Sequence, residues 1–239
     1  MDKNQPQVYD EYIKALMNIS QAITSDLFIE DLLKLIVIVT AKVTDSAICS
    51  LWMVDENEKP PMIKLKSTQA IAPEYVKDRS LYLNEGVVGY VASTKKPLVI
   101  KDVLKNRRFK EKEMARKLGL VSMMGVPLKL KDERVLGVLN CFTSSPHDFS
   151  ETEINLVTAV ANQSALAILN AELMVKTKVI QEELETRKIV DRAKEILMLR
   201  RKLKVEEAYR WIQKRSMNTR KSIRQVAEAI LLSDELYND

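Results

Sequence analysis

The stretch Gly86-Val-Val-Gly-Tyr-Val-Ala-Ser-Thr-Lys-Lys-Pro-Leu-Val-Ile-Lys-Asp-Val103 decides how the first part of this 239-residue chain is read. Two glycines open an apolar run of helical length, and a proline at position 97 closes it ahead of Leu98-Val-Ile100, which suits a pleated surface. A helix therefore leads directly into a strand. The glycines do not make a nucleotide loop. A P-loop ends in Gly-Lys-Ser/Thr so that an amine and a hydroxyl reach phosphate and magnesium, and a dinucleotide turn needs three glycines at fixed offsets. Here they permit a helix to lie close against a sheet.

Working outward, Ala47 to Val54 and Met62 to Thr68 read as strands joined through residues 55–61 as a hairpin connection. Ser122 to Lys129 and Arg134 to Phe142 form a second antiparallel pair, closed by the tight turn Lys131-Asp-Glu133. Helical periodicity covers Val8 to Ile23 and Phe28 to Val43, with Ser25 or Asp26 placed to cap the second helix. All five glycines and all seven prolines lie before residue 147, so the last 93 residues contain no helix breaker. The expected class is α+β: an antiparallel sheet flanked by helices, then a long connecting helix and a small three-helix bundle.

The stretch from Asn84 to Phe109, followed by Val121-Ser-Met-Met-Gly-Val-Pro-Leu128 and Leu136-Gly-Val-Leu-Asn-Cys-Phe142, resembles the GAF sensor family. Phe149-Ser-Glu-Thr-Glu153 and the long Ala/Leu/Ile helix after it are similar to the family's ending, which puts a GAF-like sensor domain at residues 1–172. The resemblance implies helices on both sides of the sheet and a pocket for an unidentified small ligand, with Trp52, Val88, Tyr90 and Met124 as candidate lining residues. No residues match the cyclic-nucleotide motif of some members.

From Glu151 the helical pattern continues to residue 186. Leu166, Leu169, Leu173, Ile180 and Leu184 recur at spacings of a coiled-coil seam, and Lys176 occupies one seam position. Dimerisation through this helix is expected. Beyond it, fourteen Lys or Arg stand against four acids between Arg187 and Arg224, a net +10, while the whole chain is +5. A polyanionic partner or a solvated helical surface both fit such a segment.

Within this segment Ile189, Val190, Ala193, Ile196 and Leu197 share one helical arc, with Arg187, Lys188, Arg192, Lys194 and Arg201 on the remainder beside Asp191 and Glu195. A second helix, Glu206 to Arg215, turns Ala208, Trp211 and Ile212 inward, and Tyr209 sits near its rim. A third helix is expected from Asn218 as N-cap, with Ile223, Val226, Ala227 and Ile230 as its apolar stripe. Arg220, Lys221 and Arg224 would then project from its first turns, where exposed amides also favour phosphate.

Arg187, Ala193-Lys194, Ile196-Leu-Met198, Glu206-Glu-Ala208, Ser216-Met217 and Val226-Ala-Glu228 resemble the ANTAR domain, here residues 180–239. The resemblance implies a three-helix RNA-binding module of bacterial antiterminators that binds paired RNA hairpins as a signal-dependent homodimer, with an upstream signalling protein as a further partner class. Arg187, Arg192, Lys194, Arg220, Lys221 and Arg224 are the candidate RNA contacts. Two residues depart from the pattern: Glu195 replaces a common glycine, and Lys204 replaces a serine cap worth ~1 kcal/mol. The rival reading has the C-terminal helices dock on a protein.

Other chemistry is not expected. Cys49, Cys141 and His147 are too few for a Cys/His zinc site, and no cofactor is called for. Some GAF relatives reduce free methionine sulfoxide with cysteine thiols, but both cysteines fall inside apolar strands, where thiols are inert. Ser145-Pro-His-Asp148 lacks a nucleophile elbow, so His147 is assigned to a capping or loop role. The longest apolar run, Leu32 to Val39, is too short to span a bilayer, and the N-terminus has no secretory signal, which makes the cytoplasm the expected compartment.

Overall fold

A computed structural model describes residues 5–22, 29–70 and 79–238. The chain divides into two compact units, residues 1–172 and 173–239. In the first, helices α1 (Gln5–Ala22) and α2 (Ile29–Thr44) precede strands β1 (Ile48–Asp55), β2 (Met62–Thr68) and β3 (Ser80–Tyr82). Then come α3 (Gly86–Thr94), β4 (Leu98–Ile100), α4 (Lys112–Leu118), β5 (Ser122–Lys129) and β6 (Val135–Thr143). Helix α5 (Glu151–Arg201) supplies residues to both units, and α6 (Val205–Thr219) and α7 (Ile223–Asn238) complete the second. The proposed caps Ser25 and Asp26 lie outside the described residues.

The six strands form one sheet in the order β3-β2-β1-β6-β5-β4, with every neighbouring pair antiparallel. Both faces are covered. Ile36 and Val37 of α2 and Val157, Ala161 and Ile168 of α5 pack on the face that carries Leu51, Met124 and Leu139. Val87, Val88 and Val91 of α3 and Ala115 of α4 pack on the face that carries Trp52, Met123, Val138 and Phe142. β5 therefore has no solvent face: residues 122–128 are all buried. Such a strand loses the polar alternation that would tell one face from the other.

The glycines act as the sequence implies. A Cβ at Gly89 would stand 2.4 Å from the Tyr82 carbonyl oxygen, so α3 can meet the end of β3 only without a side chain there. A Cβ at Gly137 would stand 2.1 Å from the Trp52 carbonyl oxygen on the paired strand. Helix α5 starts with a reciprocal cap. Ser150 Oγ accepts from the Glu153 N–H at 3.2 Å, and Glu153 Oε2 accepts from the Ser150 N–H at 2.7 Å. His147 fills the loop role expected of it: its ring Nε2 bonds Glu153 Oε1 at 2.8 Å, and its ring packs edge-on against Phe149.

One 18-residue stretch of α5 is long and apolar enough to cross a bilayer, by length and composition alone. The same helix contributes Val157, Val160, Ala161, Ala165, Ala167 and Ile168 to the protein core.

Candidate nucleic-acid interface and sensor cavity

A cavity of about 60 Å³ lies on the α3 side of the sheet. Trp52 and Val88 line it. Met124 does not: it faces the α2 and α5 core, and its neighbour Met123 lines the cavity. Tyr90 also lies elsewhere, with the Arg108 guanidinium 4.1 Å from its ring centroid. Residue types alone did not single out Ser50 and Asn140. Ser50 Oγ accepts from the Trp52 indole N–H at 3.3 Å, and Asn140 is buried with its side-chain oxygen unpartnered among the described residues. The rest of the wall is mostly apolar, with Thr68, Arg79, Lys110 and Glu111 also in the lining, so the cavity can hold only a very small molecule and offers it the Asn140 oxygen as an acceptor.

On the opposite face Cys49 and Cys141 stand side by side across β1 and β6 with their sulfurs 3.6 Å apart, both fully buried. Burial pushes the Cys49 thiol well above its ordinary range, and the adjacent Cys141 pushes it further in the same direction. The reactive thiolate is disfavoured there. No group of three potential metal-binding side chains exists among the described residues.

In the second unit Val190, Ala193, Leu197, Ala208, Ile212, Val226 and Ala227 form one buried core, with Ile189, Trp211, Ile223 and Ile230 packed at its edge. The apolar arcs of all three helices thus meet as their spacing requires. The junctions differ from expectation. Asn218 is inside α6, which runs on to Thr219, and does not cap α7. Arg220 ends α6 in the left-handed region, φ 53°, and the Lys221 N–H closes back on the Ser216 carbonyl at 3.2 Å. Ser222 caps α7: its Oγ accepts from the Gln225 N–H at 3.1 Å, while Gln225 Oε1 accepts from the Ser222 N–H at 3.0 Å. Arg220 and Lys221 therefore lie in the α6–α7 connection, and Arg224 alone of the three is in the first turn of α7.

Lys204 is the N-cap of α6. Its ammonium has no lone pair to accept an amide, but Glu207 Oε2 accepts from the Lys204 N–H at 2.8 Å, so half of a capping box survives without serine.

The three candidate contacts on α5 do not share one face. Setting Arg187 at 0°, Lys194 lies at about 340° around α5, Asp191 at about 40°, Glu195 at about 80° and Arg192 at about 140°. Lys194 Nζ is held by Asp191 at 2.6 Å, and this bond, aided by the charge of Arg187, keeps the Asp191 carboxyl below its ordinary range. Arg224 is more heavily engaged. It bonds Glu228 at 2.8 Å, has Glu185 at 4.0 Å and lies in the field of Glu182, which together raise its pKa above the ordinary arginine value. Arg187, Arg192, Arg220 and Lys221 are exposed.

A groove of about 410 Å³ opens between the end of α5, α6 and α7, lined on its apolar side by Leu197, Trp211 and Val226. Arg200, Arg201, Arg215 and Lys221 also line it, and only Lys221 is among the residues chosen from sequence. The signal for the others was present in the charge count. It lay outside the motif positions, and only the fold brings residues 200, 201, 215 and 221 around one opening.

Comparison with known proteins follows this division. The GAF domain family model matches residues 26–169, and the ANTAR domain family model matches residues 178–231. The GAF domain of an Acinetobacter phosphoenolpyruvate-protein phosphotransferase is 27% identical, with TM-score 0.57 over 69% of this chain and 97% of that one. The GAF domain of the Coxiella burnetii phosphoenolpyruvate-protein phosphotransferase is similar in fold at 24% identity, with TM-score 0.59 over 70% and 97%. Free methionine-R-sulfoxide reductase from Neisseria meningitidis shares the fold at 17% identity, with TM-score 0.56 over 68% and 91%. Transcriptional regulatory protein PdtaR of Mycobacterium tuberculosis is 31% identical over 86 residues, 36% of this chain. The chain spans about 40% of the length of that curated relative. The chain belongs to the GAF domain family, with an ANTAR domain following its GAF fold.

Proposed function

We propose that this protein is a cytoplasmic, non-enzymatic transcription antiterminator: a signal-responsive homodimer that binds hairpin loops in leader RNA and keeps the competing terminator helix from forming. The observation that carries this reading is the coincidence of three boundaries. The ANTAR match at residues 178–231, the separate helical core of the second unit and the +10 segment from Arg187 to Arg224 fall on the same part of the chain. Likeness to PdtaR, a transcriptional regulatory protein, points the same way. Phosphates would be met by exposed arginines and lysines, and unpaired loop bases would supply discrimination.

Dimerisation belongs to the proposal. Every residue from Leu173 to Glu185 is exposed in the single chain, including the seam residues Leu173, Ile180 (63% exposed) and Leu184 (52%). A second copy of α5 would cover them. The small cavity beside Asn140 is the proposed site of the signal.

The test is fluorescence anisotropy of a leader RNA with two stem-loops against the full chain at low ionic strength, with light scattering on the same samples. Binding by a dimer is expected. A protein that stays monomeric at micromolar concentration, or ignores every stem-loop offered, overturns the reading. The rival, docking on a protein, draws on exposed apolar side chains of the second unit, notably Leu199 (82%) and Leu236 (72%). Replacing Lys194 and Arg220 by glutamine separates the two: RNA affinity falls with folding intact under the first, and neither changes under the second.

A further inference from the structure

The groove between α5, α6 and α7 is large enough for a nucleotide, and two independent features of its wall favour one. The first is aromatic. Arg201 holds its guanidinium carbon 4.7 Å from the centroid of the Trp211 ring, and Trp211 is only half-buried at the edge of the core. A stacked guanidinium and indole give an unpaired base a flat partner whatever its identity. The second is charge. Arg215 and Lys221 are exposed on the same wall, on either side of the α6 terminus. The carboxylate in the lining, Asp234, is already bonded by Arg200 at 2.5 Å and so does not oppose a phosphate alone.

By contrast, two of the cations chosen from sequence are committed to carboxylates, Lys194 to Asp191 and Arg224 to Glu228. A phosphate at either must displace an ion pair. Arg215 and Lys221 form no ion pair among the described residues, so a phosphate there displaces none.

We infer that this groove is a single-nucleotide slot: one unpaired loop nucleotide of the bound RNA stacks at Arg201 and Trp211, with its flanking phosphates held by Arg215 and Lys221. The inference rests on the RNA-binding reading above and adds the place and the stoichiometry of base recognition. It fits RNA loops in particular because a base must be unstacked to enter the groove and lie against Trp211.

The test uses the full chain and a fluorescein-labelled RNA of two stem-loops in which each loop nucleotide is replaced in turn by an abasic one. Wild-type protein is expected to show one loop position at which the abasic change weakens binding by roughly 5- to 100-fold, the range that base stacking supplies. In R201E/R215E/K221E the intact RNA should bind at least ~10-fold more weakly, and that abasic penalty should shrink below about twofold, because the partner of the base is gone. Circular dichroism checks that helix content is unchanged. An abasic scan of the wild-type complex with no position standing out overturns the slot. So does a triple variant that binds intact RNA as wild type does while R187E/R192E abolishes binding, an outcome that leaves the RNA reading standing. Wild-type dimer that binds no stem-loop overturns both. If the triple variant keeps RNA affinity but loses an acidic amphipathic helical peptide, the groove serves a protein and the inference fails.

Discussion

Gly137 and Gly119 impose different demands on the chain. At Gly137 an added methyl would meet the Trp52 carbonyl oxygen at 2.1 Å, and neither strand can yield without breaking its pairing. At Gly119 nothing lies within 4 Å, and only the positive φ of 65° penalises a side chain. Gly137→Ala is therefore expected to cost about 3 kcal/mol or more of stability, at the upper end of overpacking effects. Gly119→Ala should cost only about 1 kcal/mol. Urea unfolding of the two variants checks the order, and an equal cost would refute it. At this scale the sequence is legible where a residue type has one structural use. Gly89 reads as a close approach and is one. Met123 and Met124 are the counter-example: in a strand buried on both faces their chemistry is the same, and only the register with β6 decides which of them faces the cavity.

At the scale of elements, the start of α5 is held by Ser150, Glu153 and His147 together. Partial burial raises the Glu153 carboxyl, but the Ser150 N–H, the Ser150 hydroxyl and His147 outweigh it, so its pKa is lowered in the fold. A lowered carboxyl stabilises the folded state above the pKa of the unfolded chain, about 4.3, and loses that effect as pH falls through the folded value. The melting-temperature gap between wild type and Glu153→Gln should close as pH falls below about 4. A gap that persists at about pH 3 would contradict this assignment. Ser150→Ala should cost about 1 kcal/mol at neutral pH. The same capping logic explains why the α6–α7 junction departs from the sequence expectation. Asn218 is a good cap by type, but α6 ends in a left-handed arginine instead of a glycine. A positive φ at such a residue leaves no mark in the sequence. Three-residue β3 is not legible for a related reason, since Ser80 to Tyr82 is too short to show any period.

Over the whole molecule, the basic segment falls within the second of the two units that apolar burial defines. The division was legible because every glycine and proline precedes residue 147 while the net positive charge follows residue 186. The arrangement of cations on the second unit was not, because ion pairing depends on which carboxylates the helices bring near, such as Glu185 of α5 beside Arg224 of α7. Salt dependence measures how many of them act. If all six sequence-chosen residues each neutralise one phosphate of single-stranded RNA, the slope of log K against log salt should be about −4. Release of Lys194 and Arg224 from that role would bring it nearer −3, with Arg187→Gln and Lys221→Gln each lowering its magnitude by about 0.7. A slope near zero in an anisotropy titration would remove phosphate contacts from the account altogether.

The exposed stretch of α5 has one more consequence. Residues 173–185 have no tertiary burial in the single chain, and about three and a half turns of helix without packing are marginal in water. Their backbone amides should therefore trade hydrogen for deuterium within seconds in dilute protein, while those of Val157 to Ile168 stay shielded for far longer. Raising the protein concentration, or adding RNA that brings two copies together, should slow this one window and leave the rest of the uptake map where it was.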